Sequence, residues 1–234
     1  NIIRNTLGYN ILFIILGNVL ALAIAIMLNF LRGKMNKKIY QTIILIPYLI
    51  SMTVVAYIVY GFLSQDTGFI NNMIKSAGGA SISWYTQEKY WPYILTLVYL
   101  WKQFGYSSIL YYATVVGIDS SLYEAASIDG ASVWKQVRHV TLPGLKTTII
   151  TMVLLAIGRM FYTDFGLFYQ VPMHSGLLSN VTDTVDVFVY KALTQLNDVG
   201  RAAAAGFLQS LLGFITVFVA NLIVRKADQD SALY

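Results

Sequence analysis

Lys102, Arg159 and Asp164 each stand inside a stretch of the 234-residue chain that is otherwise apolar. A charged side chain at the centre of a bilayer costs about 2.5–3.5 kcal/mol on insertion scales, so each of them has a partner or a task. Lys102 belongs to a spaced set. Tyr99, Lys102, Gln103 and Tyr106 fall at i, i+3, i+4 and i+7 and share one face of a helix. Such a stripe suits a sugar, whose C–H faces stack on aromatic rings and whose hydroxyls need fixed donors and acceptors. It equally suits a structural network between helices flanked by interfacial tyrosines. Arg159 and Asp164, five residues apart, point about 140° from one another on an ideal helix. They are therefore poor mutual partners, and at least one of them reaches another helix or a cavity.

Several other chemistries are excluded by composition. Cysteine is absent, which removes disulfides, thiol nucleophiles and cysteine-based metal sites, and the two histidines, His139 and His174, are too far apart in sequence to suggest a local site. No nucleophile and base stand together, so a membrane-embedded enzyme is disfavoured. The stretch GLKT at 144–147 lacks the spacing of a phosphate-binding loop, GxxxxGK[ST], so the chain carries no such ATP site. The net charge of +5 does not imply nucleic acid here, because basic loops beside membrane spans account for it.

Hydrophobic residues make up 57% of the chain and charged ones only 12%, a balance that belongs in a bilayer. At about 20 apolar residues per crossing, five spans are expected: Leu7 to Leu31, Thr42 to Leu63, Trp91 to Val116, Thr148 to Phe168 and Ala202 to Val224. Arg32, Lys34, Lys37, Lys38, Lys135, Arg138, Lys146, Arg225 and Lys226 fall on one side of this arrangement. Arg4, Lys75, Lys89, Lys191 and Arg201 fall on the other. The excess places the loop at 117–146 and the C-terminus in the cytoplasm and Asn1 outside. A start outside, without an initiator Met or a signal-peptide pattern, predicts a preceding sixth span.

Rows of small residues, Gly17–Ala21–Ala25 and Ala202–Gly206–Ser210, allow close helix packing in lipid. Pro47 should loosen or kink the second span. Broken mid-membrane helices and inverted repeats, the marks of a secondary transporter, are not expected from the sequence. The stretches Asp66 to Tyr90 and Tyr169 to Gly200 read as long outer loops, solvated connectors or contacts for an external partner.

The polar passage SLYEAASIDGASVWKQVRHVTLPGL, residues 121–145, is the exception in the oil. Ser121 and Glu124 read as a capping box starting a short helix near Leu122. Asp129-Gly130 reads as a turn with Gly in the positive-φ region. Val133, Val137 and Val140 give a second short amphipathic helix, with Lys135 and Arg138 pointing elsewhere. Pro143 draws Thr141 and Leu142 toward extended geometry and can open the next span. The expected form is helix, turn, helix, stop. Physics alone leaves two uses open, docking a protein or lying on anionic lipid.

The same passage closely resembles the EAA motif of permease subunits in binding-protein-dependent ABC importers. Glu124, Ala125, Ala126, Gly130, Val140, Leu142 and Pro143 fall in register, and Val140 where Ile is commoner is a mild departure. NTLGYNILF at 5–13, ILIPYLIS at 44–51 and GFINN at 68–72 also resemble the sugar-uptake branch. TDFGLFYQVPMHSG at 163–176, GFLQSLLGF at 206–214 and the terminal ADQDSALY are similar to its complex-oligosaccharide subgroup. The resemblance implies an all-α polytopic helix bundle in a bacterial inner membrane, surrounded by lipid, forming one transmembrane domain over residues 1–234. It implies a second homologous permease, two ATPase subunits that hold ATP and Mg, and an extracellular solute-binding lipoprotein delivering an oligosaccharide. Glu124 would face the ATPase, Ala125 and Ala126 would permit close approach, Gly130 would make the turn, and Ser127, Asp129, Lys135, Arg138 and Pro143 complete the coupling loop. A permease for a non-sugar solute, a channel or a secondary transporter are the alternatives.

Overall fold

The computed structural model describes residues 1–31 and 33–227, so Arg32 and all but the first residue of ADQDSALY lie outside the described residues. The architecture is all-α. The helices are α1 (Ile2–Phe30), α2 (Lys34–Leu49), α3 (Met52–Leu63), α4 (Phe69–Ser76), α5 (Trp91–Val116) and α6 (Ser120–Ile128). They continue with α7 (Val133–Gln136), α8 (Leu142–Gly158), α9 (Ser179–Thr182), α10 (Val185–Thr194) and α11 (Val199–Ala227). By length and hydropathy, α1, the continuous Val133–Gly158 segment and α11 can cross a membrane, and α2 with α3 add a fourth span if taken together. α5 is the fifth expected span. Its 26 residues reach about 39 Å at 1.5 Å each, although polar residues along it dilute its hydropathy.

Two spans differ from their expected form. The second is broken: Pro47 sits inside α2, which ends at Leu49, and a fresh helix begins at Met52 with Ser51 as its cap. The fourth ends at Gly158 rather than Phe168. The chain is then non-helical until a π-helical turn at Gly166–Gln170. The kink expected at Pro47 is a full break, and the expectation that no mid-membrane helix is broken is overturned at both places. The local signals are the missing N–H of Pro47 and the Gly158 at the point of rupture.

By contacts the chain forms two units, and α1, α5 and α11 each run from one into the other. The first comprises residues 1–12, 50–99 and 159–214. Its two long connections are folded, not merely solvated. Asn71, fully buried, donates to the carbonyls of Ser64, Gln65 and Ile82 and accepts from the Ile82 amide and the Trp84 indole. One amide side chain thereby closes the 64–84 loop. The 179–185 segment is held by the first turns of α1. There Asn5 donates to the carbonyls of Asn180 and Asp183, Tyr9 to that of Val181, and the Val185 amide to the Thr6 hydroxyl. Met173 and His174 both take positive φ, 53° and 57°, and the His174 ring stacks on Tyr169 at 4.2 Å.

The second unit comprises residues 13–49, 100–158 and the chain from Ile215 onward. Its core joins Ala21 and Ala25 of α1 to Tyr111 and Val115 of α5 and Leu145 of α8. The first small-residue row therefore serves close packing as expected. In the second row Ala202 is buried, but a Cβ on Gly206 would meet no atom within 4 Å. The tightest approach is instead at Gly105, where a Cβ would run into the backbone carbonyl of Ile44.

Candidate functional site

The polar passage builds a compact knob whose bonds are almost all local. α6 starts one residue before the expected cap. Asp119 is the N-cap and accepts from the Ser121 amide at 2.9 Å, so Ser121 and Glu124 do not form the capping box. Hydrogen bonds from Ser121, its backbone amide foremost, hold the Asp119 carboxyl below the ordinary carboxylate range. The helix ends as the sequence requires. Gly130 has φ 71°, its amide donates to the Ser127 carbonyl at 3.1 Å, and the Ala131 amide donates to the Ala126 carbonyl at 2.9 Å. This pair of bonds is a Schellman motif, which needs a residue without strain in the left-handed region.

Two struts fix the orientation of α6. The Tyr123 hydroxyl meets the buried Thr141 hydroxyl at 2.9 Å, and Gln136 donates to Ser127 Oγ at 3.0 Å and to the Ala131 carbonyl at 3.2 Å. With Tyr123 turned inward, Glu124, Ala125, Ser127, Asp129 and Gly130 are left exposed, as are Lys135, Arg138 and Pro143. Ala126 is half-buried. Around these stand exposed apolar side chains, Leu122, Ile128, Val133 and Trp134, of which Ile128 is 86% exposed. An exposed mixture of this kind is what a protein-docking surface requires. The two struts and the Asp119 cap were not singled out from the sequence, although a Tyr, a Gln and an Asp at helix boundaries are ordinary signals for such roles.

Pro143 does not stop the second loop helix. Thr141 lies in a π-helical turn over Val137–Thr141, and Leu142 has φ −64° and ψ −44°, so helix runs unbroken from Val133 to Gly158. A proline lacks the N–H for the bond one turn back and crowds the carbonyl there. The widened π turn, with the Leu142 amide bonded to the Val137 carbonyl, provides room just before it. Consequently the knob's second helix and α8 are one continuous helix.

The intramembrane polar residues fall into separate settings. In the second unit, Lys102 is 8% exposed, and its ammonium donates to the carbonyls of Tyr48 at 3.0 Å and Pro47 at 3.4 Å. Those carbonyls belong to the broken end of α2, where no further helical turn supplies donors. Tyr106 stacks on Tyr48 at 4.6 Å, one turn along α5 from Lys102. Gln103 is half-buried on the same helix. In the first unit, Tyr99 lies within electrostatic reach of both Asp164 and Arg159, which are exposed. Asp164 and Arg159 are not on one helix. Asp164 caps the 165–170 segment by accepting from the Leu167 amide at 3.2 Å.

The break at 159–163 is satisfied by side chains that sequence reasoning passed over. Asn10 donates to the carbonyls of Met160 at 2.7 Å and Tyr162 at 3.0 Å. Gln209 donates to the Phe161 carbonyl at 2.7 Å. The Asp186 carboxylate accepts from the amide and hydroxyl of Thr163 and from Gln209. Polar residues buried in α1 and α11 were the available signal, because an amide facing hydrocarbon needs such a partner.

A model of the family described as "binding-protein-dependent transport system inner membrane component" matches residues 17–229. The chain belongs to this family. Its relatives include LplB of Bacillus subtilis, 33% identical over 98% of this chain and 71% of that protein. Another is the polygalacturonan/rhamnogalacturonan transport permease YteP of the same organism, 30% identical over 98% and 71%. Among solved structures, a bacterial ABC transporter involved in the import of the acidic polysaccharide alginate superposes with a TM-score of 0.91. It is 29% identical, covering 97% of this chain and 79% of that one. The chain therefore has the ABC-importer permease fold and is a membrane transport component, not an enzyme. The broken helices belong to this fold rather than to a secondary transporter.

Proposed function

We propose that this permease translocates oligosaccharides delivered by an extracellular solute-binding protein and that its Ser120–Thr141 knob docks in an ATPase subunit. Support for the cargo comes from the relatives named for polygalacturonan, arabino-oligosaccharide and alginate transport. Support for the docking comes from the knob itself, where Glu124, Ala125 and Gly130 stand exposed on a helix braced from behind by Tyr123 and Gln136. This is the observation that carries the reading. A second permease, two ATPases holding ATP and Mg, and a cytoplasmic position for the knob and C-terminus complete the assembly.

ATP-driven closure of the ATPases moves the knob. The continuous helix through Pro143 tilts α8, and access to the substrate path changes side. Tyr99, Arg159 and Asp164 are the residues of the first unit to examine for cargo contact. Gln103 is the candidate on the second half of α5, where Lys102 and Tyr106 also brace α2. The test is Glu124→Lys in the assembled transporter. Loss of substrate-stimulated ATP hydrolysis or of assembly, with membrane insertion unchanged, is expected. Retention of both overturns the docking role.

A further inference from the structure

Met173 and His174, in the first unit, are consecutive non-glycine residues in the left-handed region, at φ 53° and 57°. Such a pair persists only where its surroundings hold it, and conformations of this kind gather at functional sites. Here the turn sets the His174 imidazole against a group of rings. Phe165 and Tyr169 stack at 4.9 Å, and Tyr169 and His174 stack at 4.2 Å. Tyr190 of α10 packs 4.7 Å from Phe165 and 4.9 Å from Tyr169. Phe165 and Tyr169 are half-buried, whereas His174 and Tyr190 are exposed.

A small polar recess adjoins the rings, and Tyr169, His174, Ser175, Asp183 and Lys191 are among the residues that line it. Its volume of about 10 Å³ has room for one water or one hydroxyl. Lys191 donates to Asp183 Oδ1 at 2.7 Å, and the pair still offers a second carboxylate oxygen and further ammonium protons. Exposed rings beside fixed donors and acceptors have the chemistry that recognises a sugar. Its C–H face stacks on a ring, and a hydroxyl enters the recess. Tyrosines of an interfacial aromatic belt require neither the left-handed turn nor the recess. The group also continues the candidate cargo residues, since Phe165 directly follows Asp164, whose carboxylate caps the same short segment.

We propose that the His174 and Tyr190 rings form a glycan-stacking subsite, on which one sugar of the oligosaccharide rests with a hydroxyl in the Asp183–Lys191 recess. The subsite would receive the cargo as it leaves the binding protein and hand it on toward Asp164. The inference rests on the proposed function for the oligosaccharide cargo and for the outer position of residues 169–200.

The test places the assembled transporter in proteoliposomes with its binding protein at saturation. It reads ATP-driven uptake of galacturonate, alginate and arabinose tetrasaccharides, and follows the one that the wild type takes up fastest. His174→Asn keeps a residue suited to the left-handed region and removes the ring. Uptake should fall about fivefold, the worth of one aromatic contact. Tyr190→Leu, which keeps the apolar bulk without the ring, should fall likewise, and Tyr190→Trp should recover most of the rate. The affinity of the loaded binding protein for the transporter should not change in any of them. Wild-type uptake in both His174→Asn and Tyr190→Leu overturns the inference. So does a fall matched by weaker docking of the binding protein, which would make the rings a protein contact. Either result leaves the oligosaccharide reading standing. Uptake of none of the three sugars by the wild type overturns that reading, and the subsite with it.

Discussion

The knob and the broken spans are both polar interruptions in an apolar chain, but they satisfy their backbones differently. In the knob the partners are near in sequence: Gln136 and Ser127 are 9 residues apart, and Tyr123 and Thr141 are 18 apart. At the breaks they are distant. Lys102 reaches 55 residues to Pro47, Gln209 reaches 48 to Phe161, and Asn10 reaches 150 to Met160. A locally closed element can move as a unit, whereas a break closed by distant side chains ties three or more helices together. The permease thus has a self-contained, exposed part and a set of breaks whose integrity depends on the surrounding helices.

Substitutions that probe the two should therefore differ in kind. The largest effect is expected at Gly105→Ala, which drives a Cβ into the Ile44 carbonyl beside the broken helix. Overpacking against backbone should cost on the order of 3 kcal/mol. Thermal melting of the complex in detergent will show it, with Gly206→Ala, where there is open space, unchanged or slightly stabilised. Next comes Lys102→Met, which leaves the Pro47 and Tyr48 carbonyls of α2 without their cation and should cost about 1–3 kcal/mol. A fall in melting temperature with the KM for cargo unchanged marks Lys102 as a brace. A raised KM at unchanged melting temperature would instead assign it to the cargo path.

The smallest effect is local to the knob. Asp119 has a lowered pKa in the folded chain, so its cap is fully present above the ordinary carboxylate range. The cap is lost only as pH falls through that lowered value. Amide exchange across residues 120–128 should stay slow on mild acidification and rise in Asp119→Ala at every pH, with little change in α3 or α10.

What the sequence made legible follows the same division. The knob's turn at Gly130 and its exposed EAA face were readable because they depend on neighbours, and the motif fixed their register. Even there Asp119 displaced Ser121 as cap, since the residue two places earlier also has an acceptor side chain. Continuity through Pro143 was hidden, because a proline reads as a stop unless a π turn precedes it, and π turns have no clear sequence signature. The breaks were legible only as a warning at Pro47. The roles of Lys102, Asn10 and Gln209 depend on carbonyls far along the chain, and periodicity within one helix reports a face without reporting what that face meets. Tyr99, Lys102, Gln103 and Tyr106 do share a side of α5, yet Lys102 and Tyr106 engage α2 while Tyr99 lies near Arg159 and Asp164.

The docking of the knob is tested most directly by a single cysteine, because the chain has none of its own. Ala125→Cys, exposed on α6, in a complex whose other subunits are freed of reactive cysteines except one engineered in the ATPase cleft, is treated with a short bifunctional maleimide. A crosslink to the ATPase that changes in yield with ATP, and is absent when the cysteine is placed at Met73 in α4 instead, is the predicted result. No crosslink from position 125 in an assembled and active complex would contradict the account.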